Sequence, residues 1–169
     1  MMDRFIVAVL VYNRYGVLNR VTSMFRRRQF NISTLTVSET ESHEYSRITV
    51  TFEGNENSKQ QLINQLYKLP DVVSIKELDK ENTVDMELLL IKVANNPAFR
   101  VDIMAAAEAF HARTVDYSKE AIVLQLTDTS RRIDDFINVM RDNEILEICR
   151  TGVVSLEKGA STIRKITNL

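Results

Sequence analysis

Cysteine, glycine and charge of one sign are all in short supply. Cys149 is the single cysteine among 169 residues. A disulfide framework within one chain is therefore excluded, and a reducing compartment fits. There are four glycines, and no glycine-rich loop of the kind that cradles phosphate. The 22 Lys and Arg nearly balance the 23 Asp and Glu, for a net charge of −1. No global field favours nucleic acid, an anionic membrane or a polyanion. The longest apolar run, Phe5–Tyr12, is far too short to span a bilayer. The N-terminal MMDRF lacks the layout of a secretory signal. Together these absences predict a soluble, cytoplasmic protein.

Ligands for chemistry are equally sparse. His43, His111 and Cys149 are far apart in sequence, without the spacing of a zinc site or of a Cys/His nucleophile pair. Cys149 alternates with apolar residues and is expected as a buried structural thiol. No pair of carboxylates stands out in an apolar setting. The residues thus give no positive sign of a catalytic or metal site.

What is present is pattern. Hydrophobic residues make up 44% of the chain and charged residues 27%, ordinary for a globular protein of one domain or two small ones. Residues 5–12 (FIVAVLVY) form a continuous, β-branched run that predicts a buried central strand. Val17, Leu18, Val21, Met24 and Phe25 then share one face of a helix over about 16–28. Strands are predicted at 33–38 and 46–52, where Ile48, Val50 and Phe52 alternate with polar residues. Leu62, Ile63, Leu66 and Leu69 mark a second helix ending before Pro70, and 72–78 a last strand. The order β-α-β-β-α-β predicts a four-stranded antiparallel sheet with both helices on one face.

After a charged linker at 79–84 the order repeats. Met86–Val93 is a strand. Asn96-Pro97 reads as an N-cap followed by the first helical residue. That helix runs to about His111, with Val101, Met104, Ala105 and Phe110 available for burial. Strands follow at 114–117 and 121–126, then a helix capped by Ser130, then one long strand within 145–156. The fold class is α+β, two ferredoxin-like sandwiches in tandem. The boundaries are 1–79, 84–159 and a polar tail, 160–169.

One loop invites a ligand. In VYNRYGVLNRV (11–21) a glycine starts the first helix directly after the central strand. First-turn amides lack intrahelical partners and carry the positive end of the helix dipole. Gly16 leaves them open to an anion such as a carboxylate. Asn13 offers a carboxamide that both donates and accepts. A zwitterion needs both. The same residues also suit a plain strand-to-helix turn.

NRYGVLNRV resembles the loop of ACT domains, small-molecule sensing modules with the pattern Asp/Asn-x-x-Gly-x-Leu. FRRRQFNISTLTVSETESHEYSRITV (25–50), LYKLPDVVSI (66–75) and RTGVVSLEKG (150–159) resemble the regulatory (small) subunits of acetohydroxyacid synthase, also called acetolactate synthase. The resemblance implies an N-terminal ACT domain that pairs into a homodimer. It implies a non-catalytic subunit of branched-chain amino-acid biosynthesis that activates a large catalytic subunit and mediates feedback inhibition by valine. The effector residues it implies are Asn13, Gly16, Val17 and Leu18 of one chain with Asn31 and Ile32 of the other. Thiamine diphosphate, FAD and Mg²⁺ would belong to the large subunit, none being bound by this chain. The alternative is a free-standing amino-acid-sensing module acting on a different partner.

One departure from the family pattern matters. Gln29 in RQFNI stands where the family has a glycine ending the first helix. That position is commonly left-handed, where a non-glycine residue costs about 1 kcal/mol. The order βαββαβ is also that of RNA-binding domains, but those stack bases on aromatics of central strands. Arg47–Thr51 offers Arg and Thr outward instead, so no nucleic acid is expected. Arg26–Arg28 favours the negative end of the helix dipole and is also open to contact with the catalytic subunit.

Overall fold

A computed structural model describes residues 3–164 of the chain. Strand β1 (Asp3–Tyr12) is apolar on both sides because both sides are covered. Val7, Val9 and Val11 face the helices and Ile6, Ala8 and Leu10 face away, all buried. Helix α1 (Val17–Arg27), strands β2 (Ile32–Glu39) and β3 (Tyr45–Gly54), helix α2 (Glu56–Leu66) and strand β4 (Val72–Leu78) follow. The sheet order is β2-β3-β1-β4, with β1 antiparallel to both neighbours. Val17, Val21, Met24 and Phe25 of α1 and Leu62 and Leu66 of α2 pack on Val7, Val9, Ile48, Val50 and Phe52.

The second set is β5 (Thr83–Ala94), α3 (Arg100–Phe110), β6 (Arg113–Tyr117), β7 (Ala121–Asp128), α4 (Ser130–Met140), β8 (Ile145–Arg150) and β9 (Val154–Glu157). Its sheet runs β6-β7-β5-β8, and β9 also pairs with β5. Leu89, Ile91 and Val93 meet Ile122, Leu124 and Leu126 in register, under Ile103, Ala107, Ile133, Phe136 and Met140. The α+β fold is thus two βαββαβ units in tandem.

Contacts divide the chain into one unit of residues up to Asp85 together with those from Val153 onward, and a second of Met86–Gly152. The boundaries differ from those read in the sequence. The long strand predicted within 145–156 is two strands, β8 and β9, separated by Gly152 at φ 76°, a left-handed bend that breaks a ladder. Residues beyond it return to the first unit. Val153 and Ile163 pack against Ile6, Ala8 and Leu78 on the helix-free face of the first sheet. Lys76 pairs with Glu157 and donates to Ser161 Oγ, and Arg47 donates to Ser155 O at 2.7 Å. Of the polar tail 160–169, residues 165–169 lie outside the described residues.

Other differences are local. The linker shortens to a turn built on Asp79, whose carboxylate accepts from Glu81 N–H and Asn82 Nδ2. Helix α3 begins at Arg100, not at Pro97. Asn96 Oδ1 accepts from Ala98 N–H in a turn that precedes the helix. Val101, Met104 and Ala105 are exposed, because Ile103 and Ala107 carry the packing. Thr129, one residue before Ser130, caps α4. Cys149 is exposed. It pairs with Leu90 on the side of the sheet away from Leu89 and Ile91, in β8 at the edge.

Candidate functional site

The loop 13–16 joins the central strand to α1. Asn13 N–H donates to Glu44 O at 2.8 Å, and Tyr12 N–H donates to Asp71 O at 3.0 Å. The chain is therefore pinned on both sides just before it turns. Gly16 adopts φ 81° and ψ −5° at the N-cap, and no side chain caps the helix. That φ is left-handed, which glycine adopts without steric penalty. A Cβ built on Gly16 would also meet Arg20 Nη1 at 3.4 Å. The glycine thus serves the backbone turn and the open helix start together. The Val17 side chain is buried in the core, while Leu18 is exposed. Val17 N–H donates to Arg14 O at 3.3 Å, a long bond.

Arg20 was not legible as a site residue in the sequence. It stands one helical turn after Gly16, so its guanidinium reaches back over the helix start. Arg20 Nε donates to Asp71 Oδ2 at 2.7 Å, and the Asp71 side chain is largely buried. A fixed cation therefore adds to the positive end of the helix dipole. The signal was the i, i+4 spacing from Gly16; its anchor lies 51 residues away.

Asn13 uses both of its Nδ2 hydrogens, one on Glu39 Oε1 at 3.0 Å and one on His43 O at 3.1 Å. Its Oδ1 remains as an acceptor. Glu39 Oε2 is 2.9 Å from His43 Nδ1. The hydrogen bond with His43, then that from Asn13, holds the Glu39 carboxyl below its usual range. The second unit repeats this arrangement: Asn95 N–H donates to Glu120 O and its Nδ2 to Ser118 O.

Asn31 and Ile32 lie elsewhere in the same chain. Register places Glu39 beside Ser46, near the Tyr12–Tyr45 end of the sheet, and Ile32 beside Phe52 at the opposite end. Seven strand residues separate them, about 23 Å at 3.3 Å per residue. A single copy of the chain does not bring Asn31 to Asn13. Before Asn31, α1 ends with Gln29 N–H donating to Arg26 O and Phe30 N–H to Phe25 O. This is the Schellman arrangement, and Gln29 occupies its left-handed position at φ 57°.

A cavity of about 570 Å³ lies on the helix-free face of the first sheet, between Leu10, Arg47 and Lys76 and the returning residues Leu156, Thr162 and Ile163. It does not include Asn13 or Gly16. Among the described residues, no three or more His, Cys, Asp or Glu side chains are placed to hold a metal ion. No helix among them is long and apolar enough to cross a membrane.

The first unit, with an open helix start after its central strand, matches the model of the ACT domain of AHAS small subunit-like proteins over residues 7–74. Residues 86–159 match that of the small subunit of acetolactate synthase. The chain is 41% identical to the acetolactate synthase small subunit of Bacillus subtilis, covering 91% of this chain and 90% of that one. It is 40% identical to a probable acetolactate synthase small subunit of Archaeoglobus fulgidus, covering 90% and 96%. It is similar to the crystal structure of the acetolactate synthase small subunit from Thermotoga maritima, with a TM-score of 0.87 and 33% identity over 94% of this chain and 99% of that one. The chain belongs to the family of acetolactate synthase small subunits, and its role is that of a regulatory subunit.

Proposed function

We propose that this subunit activates a catalytic large subunit and makes it responsive to valine. The observation that carries the reading is the uncapped helix start at Gly16, with Arg20 fixed beside it and Asn13 Oδ1 left as an acceptor. An amino-acid carboxylate is recognised by the Gly16 and Leu18 amides and the Arg20 guanidinium. It also replaces the long Val17–Arg14 bond. The ammonium is accepted by Asn13 Oδ1.

The site is completed by a second copy. Strand β2 is an edge strand, free to pair with its equivalent in another chain. Antiparallel pairing about a two-fold axis sets the Ile32 end of one β2 against the Glu39 end of the other. Asn31 and Ile32 of the second copy then approach Asn13, which crosses the 23 Å that one chain cannot. Two equivalent sites result. Effector binding favours one dimer geometry, and the catalytic subunit responds with a coupling of about 1–3 kcal/mol. Thiamine diphosphate, FAD and Mg²⁺ are assigned to that partner.

Calorimetric titration with valine, leucine, isoleucine and alanine tests this reading, beside Gly16→Asp. Saturable binding of a branched-chain amino acid, lost in the variant, is expected. In the variant the new carboxylate fills the anion site, and a non-glycine residue takes a left-handed φ. Mixing with the cognate large subunit should raise its rate and make it valine-sensitive. Normal valine affinity in folded Gly16→Asp, or a large subunit indifferent to the mixture, overturns the reading.

A further inference from the structure

The helix-free face of the first sheet carries a row of side chains set by register. Arg47 of β3 lies opposite Leu10 of β1 on one side and opposite Ser38 of β2 on the other. Leu10 faces away from the helices, and residues directly opposite one another share a face. The polar alternation of β3 thus sets an arginine on an interior strand of the sheet. Leu156, Thr162 and Ile163 return above this row and leave the cavity of about 570 Å³. Every residue that lines it belongs to the first unit. Its size is that of a small-molecule site.

Six charged side chains line the cavity, three of each sign. Lys76 is bound to Glu157, to Ser161 Oγ at 2.6 Å and to Thr162 O at 3.2 Å, so its three donors are used. Arg164 pairs with Glu41 at 3.0 Å. Glu39 is held by His43 and Asn13. Arg47 is the cation left over. Its Nη2 donates to a neutral acceptor, Ser155 O, at 2.7 Å, and among the described residues no carboxylate forms an ion pair with it. Burial pushes the Arg47 guanidinium below its usual value, and Glu157 offsets this only in part. A half-buried cation without a counter-ion is costly to hold. The Ser38 hydroxyl beside it also has no partner among the described residues.

We propose that this cavity binds a small carboxylic acid with an apolar body. The remaining N–H groups of Arg47 receive the carboxylate in a two-point fork. The Ser38 hydroxyl donates to the same group. The body lies against Leu78, Leu156 and Ile163. An amino acid is the poorer fit, because each of the three carboxylates is already engaged and none is free for an ammonium. The occupant therefore differs in kind from a zwitterion at Gly16, a residue outside this cavity.

The experiment is an amide-detected NMR titration of the full chain with hexanoate, beside 1-hexanol and hexylammonium. Saturable shifts are expected at Ser38, Arg47 and Leu156. The alcohol and the amine have the same body without the anion and should bind at least about tenfold more weakly. Arg47→Leu removes the cation, and Ser38→Asp gives Arg47 a carboxylate of its own; each should weaken hexanoate at least about tenfold. Arg47→Leu also breaks the bond to Ser155, so Ser38→Asp, a change at an exposed residue, keeps the test independent of folding. Gly16→Asp should bind hexanoate as the unaltered chain does. No saturable binding of hexanoate overturns the proposal. So does 1-hexanol binding as tightly as hexanoate, which leaves an apolar cleft only. Unchanged hexanoate affinity in Ser38→Asp overturns it too, and its loss in Gly16→Asp would place the acid at the helix start instead.

Discussion

Helix α1 begins and ends on residues in the left-handed region, Gly16 and Gln29. For Gly16 the conformation suits the residue; for Gln29 it does not. Gln29→Gly should therefore raise stability by about 0.5–1 kcal/mol, read as a higher urea midpoint at unchanged slope. Glu39 gives a second prediction. Its folded carboxyl is held low by His43 and by Asn13. The stability from this pairing is complete above the ordinary carboxylate value and is lost as pH falls through the folded one. Carboxyl NMR titration should show the Glu39 midpoint rise in Asn13→Ala. An unmoved midpoint would mean that Asn13 does not hold this carboxylate. The turn at Gly16 was legible because the requirement for a left-handed residue is local to one loop. Arg20 was not, since it is aimed by Asp71, and spacing along the chain does not report that contact.

Among the elements, β8 carries an arginine that anchors an ion-pair cluster on a buried carboxylate. Glu87 is buried; Arg150 donates to both of its oxygens, at 2.7 and 3.0 Å, and to Asp134, while Ser130 Oγ donates to it as well. Arg150→Ala removes the cation from a buried carboxylate and should destabilise the second unit by about 3 kcal/mol. The double variant Arg150→Met, Glu87→Leu should lose much less. Thermal unfolding of the two variants makes the comparison; equal losses would show that packing, not charge, holds β8. Most elements were legible because strand and helix periodicities persist over 7–12 residues. Two features were not. The apolar residues of α3 read alike whether they face the core, as Ile103 and Ala107 do, or solvent, as Val101 and Met104 do. The break at Gly152 looks like continuous strand until the direction of the next segment is known.

At the scale of the molecule, the first unit is assembled from two stretches of chain with the second unit between them. Val153 and Ile163 cover Ile6, Ala8 and Leu78. Ending the chain at Gly152 uncovers that face. Each large apolar side chain returned to water costs about 1.5–3 kcal/mol, so the first unit should lose about 3 kcal/mol or more. Hydrogen exchange resolves the effect: β1 amides should lose protection while β7 amides keep theirs. Equal protection in both chains would show that the returning segment is dispensable.

That arrangement also sets an order in time. During synthesis the residues of the first sheet emerge early, yet the side of β1 facing away from the helices stays bare until Val153 and its successors have been translated. The loop 13–16 sits at the end of that same strand, so the first unit reaches its finished form only after the second unit has already left the ribosome. A prematurely terminated product would display apolar sheet surface, which marks it for quality control before it can occupy a place beside the catalytic subunit.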